Sequence, residues 1–335
     1  MSGGILKSLR LDSDAPTPAD PELRYSVVFN PIAGRGRAGV IADSVQALLQ
    51  RQGHTVKLAA SMRAGHIAEL AAESAAAAMD RVLVLGGDGS LREAAAGLLD
   101  CGGKLPELGI LPFGTGNVVA RELGLPLDPL AAAVKMEASE SVAFDVGSVQ
   151  CDEQAPEVFL AMLGIGYDAA VAERIGRSRA STFGGAVYKR SASLLYGAAG
   201  LRELFSFGAP RFSVAAGGSN VAASAAAAVL SNTETYGKGM AMSPGASATD
   251  GLFHLHLRTS SFPLVGAAAL TAAQWRKEAP RWAVRQSTGE AFEFTASSQE
   301  KPIVWQLDGD PMGTARKIVA TLRPGALRLI GGIAS

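Results

Sequence analysis

Asp88 stands between glycines in Gly86-Gly87-Asp88-Gly89-Ser90, directly after an apolar, strand-like run and directly before a segment with helical spacing. A carboxylate in such a turn has two uses: it can hold a divalent cation or a water of its shell, or it can cap the helix that follows. Two other turns of similar build are Asn30-Pro31-Ile32-Ala33-Gly34 and Gly114-Thr115-Gly116-Asn117. Glycine lets backbone N–H groups come up to phosphate oxygens with no Cβ in the way, and the helix beyond favours negative charge. Any one of these turns is explained by a tight strand-to-helix connection. Three together, carrying an aspartate, two asparagines and hydroxyls, point to a pocket for a polyphosphate.

Gly34, Gly36 and Gly39 also have the spacing G-x-G-x-x-G. A dinucleotide site needs, in addition, an acid at the end of the second strand to hold the ribose. Here that strand ends Lys57-Leu58-Ala59-Ala60-Ser61, and Pro31 turns the chain before the glycines begin. Both features argue against a dinucleotide, so the informative part is Asn30 to Gly34.

To bring three turns together, the segments between them must form one sheet. From Tyr25 to about Val142, short β-branched runs alternate with Ala/Leu-rich stretches of helical spacing, the pattern of βαβ units. Strands are expected at Tyr25 to Phe29, His54 to Leu58, Arg81 to Leu85 and Gly109 to Leu111. Helices are expected at Ala38 to Gln52, Gly65 to Met79, Leu91 to Leu99 and Asn117 to Leu123. Right-handed crossovers then give a parallel sheet with its ligand at the carboxyl ends of the strands. After Phe144 the texture changes to short alternating runs broken by glycines, including Val158 to Met162, Phe253 to Leu257 and Ile303 to Leu307. This reads as an antiparallel β domain with helical insertions near Ser181 to Phe205 and Leu264 to Arg276.

The bulk properties limit what the pocket can serve. With 31 basic and 31 acidic residues the formal charge is zero, so nothing recommends the electrostatic attraction on which a nucleic-acid binder depends. At 335 residues two domains are expected, and two cysteines, Cys101 and Cys151, make neither a disulfide framework nor a zinc site; a reducing cytoplasm fits. Residues 1–23 read as a disordered leader, rich in Pro, Asp and Ser. The longest apolar runs fall short of the roughly 18 residues that span a bilayer. The expected location is therefore cytoplasmic, or peripheral to a membrane.

In order along the chain, these motifs resemble the diacylglycerol kinase catalytic domain family, which includes bacterial lipid kinases, sphingosine kinases and ceramide kinases. Asn30 to Gly34 resembles its NPxxG, Gly86 to Ser90 its GGDGT and Gly114 to Asn117 its GTxN. Gly164-Ile165-Gly166-Tyr167-Asp168-Ala169 is similar to its GxGxDA. Asn232, Tyr236-Gly237-Lys238-Gly239-Met240, Pro244 and Asp250-Gly251-Leu252 are similar to its N…GGGM…P…DG segment, and Asp308-Gly309-Asp310 falls where it has DGE. The resemblance implies an α/β plus all-β, NAD kinase/diacylglycerol kinase-like fold. A doubly wound nucleotide-binding domain would cover 24–142, completed by 315–333, and a β-sandwich lipid-substrate domain would cover 143–314. Departures are Ser90 for Thr, Arg92 where the family commonly has Asn before its Glu93, Val118 where many bacterial members have Asp, and Asp310 for Glu. Val118 is closer to the sphingosine and ceramide kinase pattern.

The same resemblance implies ATP and Mg²⁺, a lipid acceptor at a membrane surface, no nucleic acid, and a homodimer as an allowed assembly. Asn30, Pro31, Gly34, Ser61, Gly86, Gly87, Asp88, Gly89, Ser90, Glu93, Gly114, Thr115 and Asn117 would hold ATP, with the hydroxyls of Ser61, Ser90 and Thr115 as donors. Asp310 would be the base that takes the acceptor's proton, with Asp308 beside it; a plain hairpin turn is the competing account of that stretch. Asp250, the Leu252 carbonyl and Ser247 resemble a structural Mg²⁺ site, against which stands an ordinary turn, since a single carboxylate binds a cation weakly. Arg174, Arg177, Arg179, Lys189 and Arg190 form one aromatic-basic segment and Trp275 to Arg285 another. Either could rest on anionic headgroups or be a solvated face.

Overall fold

The structure is a computed structural model and describes residues 22–166, 169–170, 211–237, 240–260, 262 and 265–333, less 266–267, 269–270, 273, 276–278 and 299–300. The helical expectation at Ser181 to Phe205, the first aromatic-basic segment, and Tyr167, Asp168, Lys238 and Gly239 lie outside the described residues.

In β1 (Arg24–Phe29) every residue from Tyr25 to Phe29 is buried, as a central strand covered on both faces requires. The chain continues through α1 (Ala33–Gly36) and α2 (Ala38–Arg51) to β2 (Thr55–Ala60), then through α3 (His66–Ala76) to β3 (Arg81–Gly86). α4 (Asp88–Leu99), β4 (Glu107–Pro112), α5 (Val118–Glu122) and α6 (Pro129–Glu137) follow. Parallel pairing gives the order β2-β1-β3-β4, so that the turns after β1, β3 and β4 emerge on one edge. α2 faces the sheet with Ala38, Ala42, Val45 and Leu49, the spacing of an amphipathic helix.

The second half is built from β5 (Ser141–Cys151), β6 (Glu157–Phe159), β7 (Met162–Gly166), β8 (Phe212–Ala216), β9 (Ser219–Ala225), β10 (Ala227–Ser231), β11 (Thr235–Gly237) and β12 (Met240–Ala241). It continues with β13 (Phe253–Arg258), β14 (Arg285–Gly289), β15 (Ala291–Ala296), β16 (Ile303–Leu307), β17 (Asp310–Ala315) and β18 (Lys317–Ile330). One antiparallel sheet has the order β14-β13-β10-β7-β16-β17. The other is the continuation of the parallel sheet through β18 into β15, β8 and β9, with β5 on β18 and β6 on β5. Their facing side chains, among them Val149, Phe159, Phe212 and Phe292 against Leu163, Leu230, Leu255 and Trp305, form a sandwich core.

Two strands serve both cores. β5 gives Phe144 and Val146 to the α/β core and Val149 and Cys151 to the sandwich; β18 gives Ile318, Ala320 and Leu322 to the sandwich and Leu327, Leu329 and Ile330 to the α/β core. We propose to keep 24–142 with 315–333, and 143–314, as the working units, with the changeover carried inside these shared strands.

Several boundaries differ from expectation. α4 begins at Asp88, three residues before Leu91, because a first helical turn needs no intrahelical partner for its N–H groups and so accepts glycine and aspartate. Asn117 is a left-handed cap at φ 49°, outside the helix it was expected to begin. β18 runs as a 14-residue strand through Pro324-Gly325, residues that ordinarily break a strand. Near Leu264 to Arg276, Val265, Ala268, Thr271, Ala272 and Gln274 are helical.

Candidate functional site

The three glycine turns touch one another. A Cβ at Gly34, whose φ is +56°, would fall 1.9 Å from Phe113 Cε1, and one at Gly114 would fall 2.6 Å from the Gly87 Cα. The Phe113 N–H donates to the Gly86 carbonyl at 2.7 Å, and the Ser61 N–H donates to the Phe29 carbonyl at 2.8 Å, which brings the end of β2 to the same edge. Asn30 and Asn117 build the turns they sit in. Asn30 Oδ1 accepts from the Ile32 N–H at 3.1 Å, and buried Asn117 bonds Gly114 through both its oxygen and its nitrogen, at 3.0 and 3.2 Å. Thr115 is exposed at the rim, and Ser90 lies under Gly86 in the first turn of α4.

Asp88 does not cap its own helix. The cap position is Gly87, and the Asp88 carboxylate reaches across to accept from the Val119 N–H at 3.1 Å, at the start of α5. Its Oδ2 lies over Gly116, where a Cβ would come within 3.1 Å. Burial pushes its pKa up to about 6 against the pull of the Val119 N–H, and the Asp308 charge adds to the rise. The charged form is thus short of compensation, and a hard divalent cation is the kind of group that supplies it.

Asp308 and Asp310 divide the hairpin between β16 and β17. Asp308, at φ 49°, accepts three backbone N–H bonds, from Leu160, Ala161 and Met162, at 2.8–2.9 Å; burial raises its pKa while the Arg92 charge and those bonds oppose the rise. Asn232 braces the same segment from the other side, donating to the Leu160 and Asp145 carbonyls at 2.7 Å each. Asp310 lies two residues on and opens to solvent, with its Oδ2 2.7 Å from where a Gly89 Cβ would be. Asp310, Gly89 and Ser90 share a cavity of about 500 Å³ with Gly65, Arg92, Glu93, Ala96, Glu157, Val158 and Met312. Glu93, expected at the nucleotide, faces this cavity and accepts from the Ile67 N–H at 2.9 Å at the start of α3.

The expected cation loop is closed by its own bonds. Asp250 accepts from the Ser247 N–H at 3.3 Å and from the Leu252 N–H at 2.9 Å, and pairs with His254 Nε2 at 2.9 Å. It is the Leu252 N–H, a donor, that faces the carboxylate. Among the described residues no group of three or more His, Cys, Asp or Glu side chains could hold a metal ion. The side chains that sequence reasoning missed are Arg92 and Glu157 in the cavity wall and buried Asp145 in β5. Arg92 stood out only as a departure from a motif, and nothing marked the other two.

Comparison with known proteins gives the family and the fold. The family model for the diacylglycerol kinase catalytic domain matches residues 24–149, and that for the YegS C-terminal NAD kinase beta sandwich-like domain matches residues 161–331. A Mycobacterium tuberculosis protein named "Diacylglycerol kinase" is 31% identical over 239 residues, 71% of this chain and 74% of the relative. A Cronobacter sakazakii protein named "Probable lipid kinase YegS-like" is 28% identical over 291 residues, 86% of this chain and 90% of the relative. A crystal structure of a Bacillus anthracis diacylglycerol kinase superposes with a TM-score of 0.67 at 16% identity, covering 94% of this chain and all of that one, a likeness of fold.

Proposed function

The chain belongs to the diacylglycerol kinase catalytic domain family, and from that premise we propose that it transfers the γ-phosphate of ATP to a hydroxyl of diacylglycerol or a related lipid. The observation that carries the reading is the meeting of three glycine turns beside a half-buried carboxylate and a more open one, Asp88 and Asp310, near Gly89. Asn30 to Gly34, Gly86 to Ser90 and Gly114 to Asn117 take the phosphates, with Ser61 at the sheet edge beside them. Asp88 would hold Mg²⁺, which when bound neutralises charge on the transferring phosphate. Asp310 takes the acceptor's hydroxyl proton from the cavity side. Asp308, with its oxygens given to three backbone N–H groups, fixes the hairpin that presents Asp310. For Asp250, we infer that the His254 ring, with Nε2 at 2.9 Å, is the partner of the carboxylate.

The lipid would be met at a membrane surface; no helix among the described residues is long and apolar enough to cross a membrane. Trp275 and Trp282, 72% and 69% exposed, support such an approach, with exposed Arg281 and Arg285 near them in sequence.

Radiolabelled phosphate transfer from ATP to diacylglycerol, monoacylglycerol, sphingosine and ceramide in mixed micelles tests the reading. Labelled diacylglycerol is the expected result. Label confined to sphingosine or ceramide would instead bear out the preference hinted at by Val118. ATP binding with no labelled lipid would leave a nucleotide-binding protein without transfer, and would overturn the kinase reading.

A further inference from the structure

Arg92 sits where separate parts of the chain converge on the cavity. It lies on α4, one turn after Asp88. Its Nη2 donates to Asp310 Oδ2 on β17 at 3.1 Å, and its Nη1 lies 3.8 Å from Glu157 Oε2 on β6. Its charge also reaches half-buried Asp308 and opposes the rise in that group's pKa. The side chain is only 15% exposed, and its Nε is buried with no hydrogen-bond partner among the described residues. Burying a guanidinium with one donor idle is unfavourable, and a stability role alone would be served as well by an apolar side chain of similar volume.

What Arg92 controls is the free rotation of a short acid. Asp310 is close to half exposed and follows a glycine with φ +89°, so its own turn does not fix its carboxylate. Arg92 takes Oδ2, and the absence of a Cβ at Gly89 leaves the room in which Oδ2 is held. Oδ1 is the oxygen that Arg92 does not hold.

We propose that Arg92 is a positioning residue for the transfer: it ties Asp310 by Oδ2, with Glu157 steadying its other arm, so that Oδ1 meets the acceptor hydroxyl in the cavity. As the acceptor oxygen bonds to the γ-phosphorus and the bond to the leaving diphosphate breaks, the hydroxyl proton passes to Oδ1. The inference rests on Asp310 being the base. It also joins two departures from the family motifs, Arg92 and Asp310, into one pair: a carboxylate one methylene shorter, and a long cation that tethers it.

Two cycles test the proposal. In the first, kcat and the KM values for ATP and lipid are measured for R92N, R92K, D310E and R92N/D310E. R92N is expected to lower kcat about 10- to 100-fold with the KM for ATP within about twofold, the loss that a slightly misplaced reacting group produces. R92K should recover part of that loss. R92N/D310E should be more active than the product of the two single effects, because the longer carboxylate reaches without a tether. In the second cycle, urea midpoints are measured for R92N, D310N and R92N/D310N, and the effects should fall short of additive. Full activity in R92N, a change confined to the KM for ATP, or additive effects in the urea cycle would overturn the proposal. Wild-type protein that labels no lipid would instead overturn the kinase reading, and the urea cycle would still decide whether Arg92 holds Asp310.

Discussion

Asp88 carries its charge in a place that resists charge. Burial holds its pKa at about 6, above the usual carboxylate range, and the role proposed for it needs the ionised form. For the free enzyme, kcat/KM for ATP should therefore climb with pH and level off with a midpoint near 6. Asp88→Asn keeps the shape and loses the charge; transfer should fall on the order of 10²–10³-fold, a size typical for removing one electrostatic contact to a transition state. A stopped assay across pH 5–8 reads both. Glu122 is the second such group: burial beside Glu234 lifts it to about 7 against backbone N–H bonds from Thr235, Glu234 and Ala248. The fold favours its neutral form, so the stability it contributes is present below the ordinary carboxylate range and is lost as pH rises through about 7. Glu122→Gln should match wild type in urea melts at pH 4 and exceed it at pH 8 by up to about 3 kcal/mol. Asp88 and Asp310 were legible as candidates because chemistry and turn signals coincide in the sequence. Arg92 was not, since its partner Asp310 is 218 residues away and no local pattern announces a pairing at that range.

At the scale of elements, the glycines of the turns are needed because backbones touch. The Gly114 Cβ position is 2.6 Å from the Gly87 Cα, whereas the Gly87 Cβ position is 3.1 Å from the Gly114 Cα, so Gly114→Ala must push the turns apart and Gly87→Ala need only crowd them. Gly114→Ala is expected to cost about 1–3 kcal/mol in a thermal melt and to raise the KM for ATP the more of the two. The sheet that carries these turns was readable because buried parallel strands and amphipathic helices have different periods. The starts of α4 and α5 and the length of β18 were not, since glycine, asparagine and proline read as breaks wherever they fall. In β18 the break is absorbed. Gly325 takes φ +55° where the register with β5 shifts, and its N–H donates to Asp145 Oδ1 at 2.7 Å.

Across the whole molecule, buried Asp145 binds distant parts of the chain. Its second oxygen accepts from the Gly251 N–H at 2.8 Å, and its own N–H donates to the Ala248 carbonyl at 2.7 Å. Asp145→Ala would strand two backbone donors and should cost about 3 kcal/mol, measured as a fall in the urea midpoint with both cores lost in one transition. Such a residue lies in a strand that reads as ordinary, and its partners, Gly325 in the bend of β18 and Ala248 and Gly251 in another loop, are all about 100 residues or more away in sequence. That strand also orders events in time. β18 is what pairs with β4, at Leu329 beside Leu108, so the sheet of the first four strands keeps an open edge until residue 329 has been synthesised. During translation the nascent chain therefore exposes a strand edge suited to aggregation, and ribosome-bound chains stalled before β18 should recruit chaperones that the released protein no longer needs.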